Sequence, residues 1–156
     1  MTAPGITARL SELGITLPVV PEPIARFRPF RRAGNIIYLA GQVCEWNGSV
    51  THTGALGQVH DLAAGQAAAR VCGLNLIAAL QHALGDLDKV DHCVRLGGFV
   101  HCVPQYDSVP HVINGASDLM VAVFGEAGEH CRTAVGVASL PRCAAVEVDA
   151  IFAVKP

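Results

Sequence analysis

Apolar and polar positions along this chain change their period several times, and each change marks an element. Residues 2–13 place Ile6, Leu10 and Leu13 three to four apart, as on one helix face, with Thr2 placed to cap, Pro4 near the first turn and Gly14 at the end. Residues 17–23 hold three prolines and predict an extended connector. The stretch 26–32 alternates loosely around Pro29, which has no N–H to donate, so it predicts an edge strand or a bulge. Ala33-Gly34-Asn35 then signals a tight turn into the apolar run 36–44, and the two segments predict a β-hairpin.

Residues 45–60 are polar and glycine-rich, and are expected to form a loop in which His52 and His60 are solvated. Asp61 is placed to cap the longest helix, which runs through Val71, Leu74, Ile77 and Leu80 to Leu84, stops at Gly85, and turns Arg70 and Gln81 to solvent. Residues 90–103 alternate as a strand, with a bend or bulge expected at Gly97-Gly98. Asp107 or Ser108 is placed to cap a second helix from about Val109 to Phe124, carrying Val112, Ile113, Leu119, Met120 and Val123 and closed by Gly125.

The final stretch, 130–154, holds two apolar β runs joined by Leu140-Pro141-Arg142, and a hairpin is the simplest pairing. Arg132 heads the first run. In the second, Glu147 and Asp149 are two apart and therefore share a face, while Val146, Val148 and Ala150 share the other. The order ββα, βα, ββ predicts an α+β fold: a mixed or antiparallel sheet with both long helices on one face.

Composition narrows this picture. A chain of 156 residues suits one domain, and 51% hydrophobic against 15% charged residues excludes disorder and implies surface hidden in an oligomer. A net charge of −2 gives no general drive toward nucleic acid or anionic lipid. The N-terminus lacks a basic stretch followed by an apolar one, and Gly73, Asn75, Gln81 and His82 interrupt the best apolar run. A cytoplasmic protein without a membrane span is expected.

The six cysteines include no CxxC pair and are expected to be reduced core thiols. Three His-Cys dipeptides, at 92–93, 101–102 and 130–131, raise the question of a metal. Adjacent residues on a strand face opposite ways, and positions nine apart stand about 30 Å apart, so no metal site is expected.

Two side chains carry candidate chemistry. The Arg132 guanidinium can hold a carboxylate by two parallel hydrogen bonds and never deprotonates. Glu147, between valines, is expected to have a raised pKa through desolvation, opposed by Arg132 if the two are close. Asp149 reads as structural. The cluster Arg26, Arg28, Arg31 and Arg32 reads as a solvated edge, with an anion-binding groove as the alternative.

The chain resembles the RidA/YjgF (endoribonuclease L-PSP-like) family over residues 25–155. The residues that carry the match are Gly34-Asn35-Ile36-Ile37 with Gly41-Gln42, the helix opened by Asp61, Asn114, Cys131-Arg132-Thr133-Ala134-Val135 and the run from Val146 to Val154. The resemblance implies a chorismate-mutase-like fold, a single domain over 25–156 behind an N-terminal extension of 1–24, and a homotrimer whose sheets form a barrel with ligand clefts between subunits. It further implies cofactor-independent hydrolysis of 2-imino acids to 2-oxo acids and ammonia, with Arg132 binding the carboxylate, Glu147 handling water, and Asn114 and Gly41 lining the cleft. Phe27, Ala40 and Ala134 occupy cleft positions where the family carries a tyrosine, a serine and a cysteine. A binding module for small carboxylates remains open as an alternative, and an endoribonuclease as a third.

Overall fold

The computed structural model describes residues 4–20, 22–23 and 25–156, so the expected Thr2 cap lies outside the described residues. The elements follow as α1 (Ile6–Glu12), β1 (Phe30–Ala33), β2 (Ile36–Val43), β3 (Glu45–Trp46), β4 (Ser49–Val50), α2 (Leu62–Leu84), β5 (Val90–His101), α3 (Val109–Phe124), β6 (Cys131–Val137) and β7 (Val146–Val154). Five strands form one mixed sheet in the order β1-β2-β7-β5-β6, in which only β5 and β6 run parallel.

The local signals act as expected in most places. The Asp61 carboxylate accepts from the Ala64 N–H at 2.9 Å to start α2, and Gly85, at φ 74°, ends it. By length and composition α2 could cross a membrane, yet 61% of its most apolar window is buried inside the fold, so interruptions by Gly73 and Asn75 do not make it a surface helix. Together α2 and α3 cover one sheet face, sealing Ile37, Leu39, Leu96, Val148, Ala150 and Phe152. The two helices approach closely: a Cβ on Gly115 of α3 would run into the backbone carbonyl of Gln66 on α2. The other face of the sheet is bare and presents Tyr38, Phe99, Val135, Glu147, Asp149 and Ile151.

Several expectations are corrected. The last two strands do not form a hairpin: β5 lies between them, parallel to β6 and antiparallel to β7. A β5-α3-β6 crossover satisfies the parallel pair, and β7 then takes the free edge of β5, whose backbone groups would otherwise be buried unpaired. Gly97 and Gly98 make no bulge. Register shifts fall at Val90/His92 and Cys93/Arg95 instead, while the two glycines make room for Asp149 on one face and Ile113 on the other. Within 45–60, β3 and β4 form a small hairpin on Asn47-Gly48, both at positive φ (49° and 92°), the dipeptide expected of a primed turn.

Pro29 precedes the edge strand rather than lying in it, and α1 spans seven residues with Leu13 outside it. His52 and His60 are half-buried and pack edge to face at 5.5 Å rather than standing in water. All six cysteines are free thiols, but only Cys44, Cys72 and Cys93 are buried; Cys131 and Cys143 are exposed. Because the α2–α3 contact is backbone against backbone, Gly115→Ala is expected to cost about 1–3 kcal/mol of stability by overpacking, read as a lower urea midpoint with unchanged m-value.

Candidate active site

The candidate residues fall into two groups, and the sheet holds them apart. Glu147 stands on the bare face of β7, opposite Phe99 of β5 and Val43 of β2. The β2–β7 register slips between Leu39 and Gln42, which takes Ala40 and Gly41 out of the ladder; the Ala40 N–H donates instead to Pro29 O at 2.9 Å. Gly41 lets the carboxylate lie close against β2, since a Cβ there would sit 2.7 Å from Glu147 Oε1 and displace it. Glu147, Gly41 and the half-exposed ring of Phe27 line a cavity of about 750 Å³ whose walls are largely apolar, including Val19, Val43 and Pro141. Ala40 is not part of that lining.

Burial holds the Glu147 carboxyl above its ordinary value of 4.5, and the neighbouring Asp149 charge adds to the effect. Asp149 is also raised by burial, against the opposing pull of Arg95, whose Nη1 lies 3.6 Å from its Oδ1, and of the Gly97 N–H. Asp149 therefore pairs within its own chain.

Arg132 belongs to the second group. It lies opposite Leu96, three residues along β5 from Phe99, so it points to the helix-covered face while Glu147 points to the bare one. Two strand spacings, about 10 Å, add to this separation. The expected opposition of Arg132 to the Glu147 shift is therefore absent within one chain.

A hydrogen-bond relay fixes Arg132. Its Nη1 donates to Asn114 Oδ1 at 2.8 Å and to Ser117 Oγ at 3.1 Å. Ser117 Oγ is 2.9 Å from His130 Nε2, and His130 Nδ1 is 2.6 Å from Gly128 O. A carbonyl can only accept, so Nδ1 carries the proton, and in the neutral ring Nε2 accepts from the Ser117 hydroxyl. The Ser117 oxygen is then free to accept from Arg132. No carboxylate faces Arg132 among the described residues, and its Nε and Nη2 remain available for a ligand. Ala134, two residues on, shares the Arg132 side of β6 and packs against the core.

The sequence reading missed four residues here. Ser117 is one helical turn from Asn114, a spacing that puts both on one side of α3 and could have been noticed. His130 was visible only as half of a His-Cys dipeptide. On the cavity wall, Arg142 Nη1 pairs with Glu45 Oε2 at 2.5 Å and Nη2 donates to Gly48 O at 2.6 Å. Arg142 and Cys143 both hold φ 58°, a left-handed conformation unusual for side-chain-bearing residues. Nothing local announces that clamp, because Glu45 lies 97 residues away.

With the geometry defined, the relatives become informative. Residues 7–153 match the family model described as YjgF/chorismate mutase-like, putative endoribonuclease. This chain belongs to the YjgF/RidA family. Protein TCP17 of Trypanosoma cruzi is 44% identical over 147 residues, 94% of this chain and 92% of that protein. The crystal structure of protein Atu1372 from Agrobacterium tumefaciens is 45% identical with a TM-score of 0.90, covering 96% of this chain and 92% of that one. A Shewanella oneidensis protein carrying the same endoribonuclease designation is 29% identical, with a TM-score of 0.94 over 97% of this chain and all of its own. The mixed sheet with its helices on one face is thus the YjgF/chorismate-mutase-like fold.

The raised Glu147 pKa gives this family member a testable pH signature. Protonated Glu147 is favoured by the fold, so its contribution to stability is full below 4.5 and is lost as pH climbs through the raised value. Glu147→Gln cannot ionise. Its melting temperature is expected to exceed that of the parent at neutral pH and to match it well below pH 4.5.

Proposed function

We propose that this chain hydrolyses reactive 2-imino acids to 2-oxo acids and ammonia in clefts between the protomers of a homotrimer. The observation that carries the reading is the division of the site. One chain supplies a carboxylate anchor without an acid/base group, Arg132 on edge strand β6 held by Asn114 of α3, and an acid/base group without an anchor, Glu147 beside Gly41. The bare sheet face, with Tyr38 and Val135 50% and 40% exposed, supplies apolar surface for a second copy to cover. An anchor from one protomer then meets the Glu147 cavity of the next.

The chemistry needs only these groups. Arg132 holds the substrate carboxylate through its free N–H groups. Water attacks C2 of the protonated imine while Glu147 takes one of its protons. The same carboxyl then returns that proton to nitrogen and takes up the hydroxyl proton as the C–N bond breaks, so ammonia leaves with the 2-oxo acid behind. A carboxyl whose pKa is raised by burial suits both directions of transfer, and such a positioned group contributes about 10²–10⁴-fold.

A second reading is favoured by one observation: Phe27, Ala40 and Ala134 bring no hydroxyl or thiol to the cleft, so the same site would bind 2-oxo acids without turning anything over. Ammonia release from imines generated in situ by an amino-acid oxidase separates the two, because the binding reading expects the uncatalysed rate together with thermal stabilisation by 2-oxobutyrate.

The split site makes a sharper test. Arg132→Ala and Glu147→Gln are each expected to lower activity by about 10²-fold or more. Co-expressed in equal amounts they should recover about one quarter of parental activity, since random mixing leaves that share of inter-subunit sites with both wild-type groups. Folded mixed trimers with no recovery would place Arg132 and Glu147 in different sites.

A further inference from the structure

A second cavity lies beside the first. It is a groove of about 930 Å³ that shares Val20, Glu22, Pro23, Phe27 and Pro29 with the Glu147 cavity, so the two are neighbours across those residues. Its walls carry Arg26, Arg28, Arg31 and Arg32, four of the eleven lysines and arginines of the whole chain. All four are exposed, and none pairs with a carboxylate among the described residues. Arg32 alone makes a side-chain hydrogen bond there, from Nε to Gly34 O at 2.8 Å, and Glu22 is the single acid of the lining. The far wall is His82, whose ring meets Phe30 edge to face at 6.2 Å.

The charge balance of the two ends is opposite. Around Glu147 the cavity holds Glu45 as well, and its only cation, Arg142, is already committed to Glu45. Guarding a sheet edge needs scattered solvated charge, but these arginines line one concave groove, Arg32 from the helix-covered side of β1 and Arg31 from the Tyr38 side, where low-dielectric walls concentrate their field. Planar guanidiniums bind phosphate oxygens in pairs, and several are needed to match a dianion. The acidic end suits a protonated imine, and the basic end suits a second, anionic terminus on the same molecule.

We infer that the arginine groove is a subsite for a phosphate group, so that the substrate is a 2-imino acid, or its 2-oxo product, carrying a phosphate at its distal end. This inference rests on the imine-hydrolase reading for the identity of the reacting end, while the groove itself can be tested alone. The comparison is between 3-phosphohydroxypyruvate and hydroxypyruvate, which share a carbon skeleton, binding to the full-length protein by calorimetry at low and at high salt. The phosphorylated acid is expected to bind at least about tenfold more tightly at low salt, with the advantage shrinking as salt screens the groove. Arg26→Ala/Arg28→Ala, both at exposed positions outside β1, should abolish that advantage and leave hydroxypyruvate unchanged. Equal affinities, or an advantage that survives the double substitution, would overturn the subsite. Should neither acid bind, the 2-oxo acid reading fails, and inorganic pyrophosphate decides the groove by itself: binding weakened about tenfold or more by the double substitution supports it, and no binding removes it.

Discussion

Strand β7 is hydrogen-bonded on both edges, to β2 and to β5, and that double pairing constrains everything around it. Its side chains alternate between a sealed face and a bare one. Slipping the register by one residue would drive Glu147 and Asp149 beneath the helices and expel Val146, Val148, Ala150 and Phe152, so the position of Glu147 is held by the whole apolar set opposite it. Gly41 and the slip in the β2 register then open the space into which that carboxylate points. The Glu147 carboxylate is placed by the core rather than by a dedicated loop.

The same alternation explains why one chain holds the two candidate groups apart. With β5 inserted between β6 and β7, Arg132 and Glu147 lie on opposite faces, and no side-chain rotation joins them. Each is nevertheless well prepared. Arg132 is oriented through Asn114 and the Ser117–His130 pair, and Glu147 is desolvated in a largely apolar cavity. Preparation of this kind costs stability at a carboxylate that could otherwise be solvated, and such costs concentrate at working sites. The left-handed backbone at Arg142, on the rim of the same cavity, belongs to this pattern.

Much of this was readable from residue order. Period and punctuation located both long helices, the first hairpin and the three long later strands, because caps such as Asp61 and stops such as Gly85 act within one turn of chain. The Asn47-Gly48 hairpin is equally local, a positive-φ dipeptide between two short paired segments. Arg132 and Glu147 stood out as charges within apolar strands, and Asn114 through resemblance. Ser117, His130 and the Glu45–Arg142 clamp did not stand out. Their meaning lies in partners that are distant in sequence or on another element.

The amino-acid sequence by itself determined which residues form strands and helices, and which alternate positions share a face, since those follow from backbone geometry over a few residues. Only the tertiary structure decided which strand lies beside which. That choice depends on burying every edge hydrogen bond and every apolar face at once, so it cannot be settled within any one segment. It separated β6 from β7, put the arginine and the glutamate on opposite faces, and set the arginine groove beside the glutamate cavity.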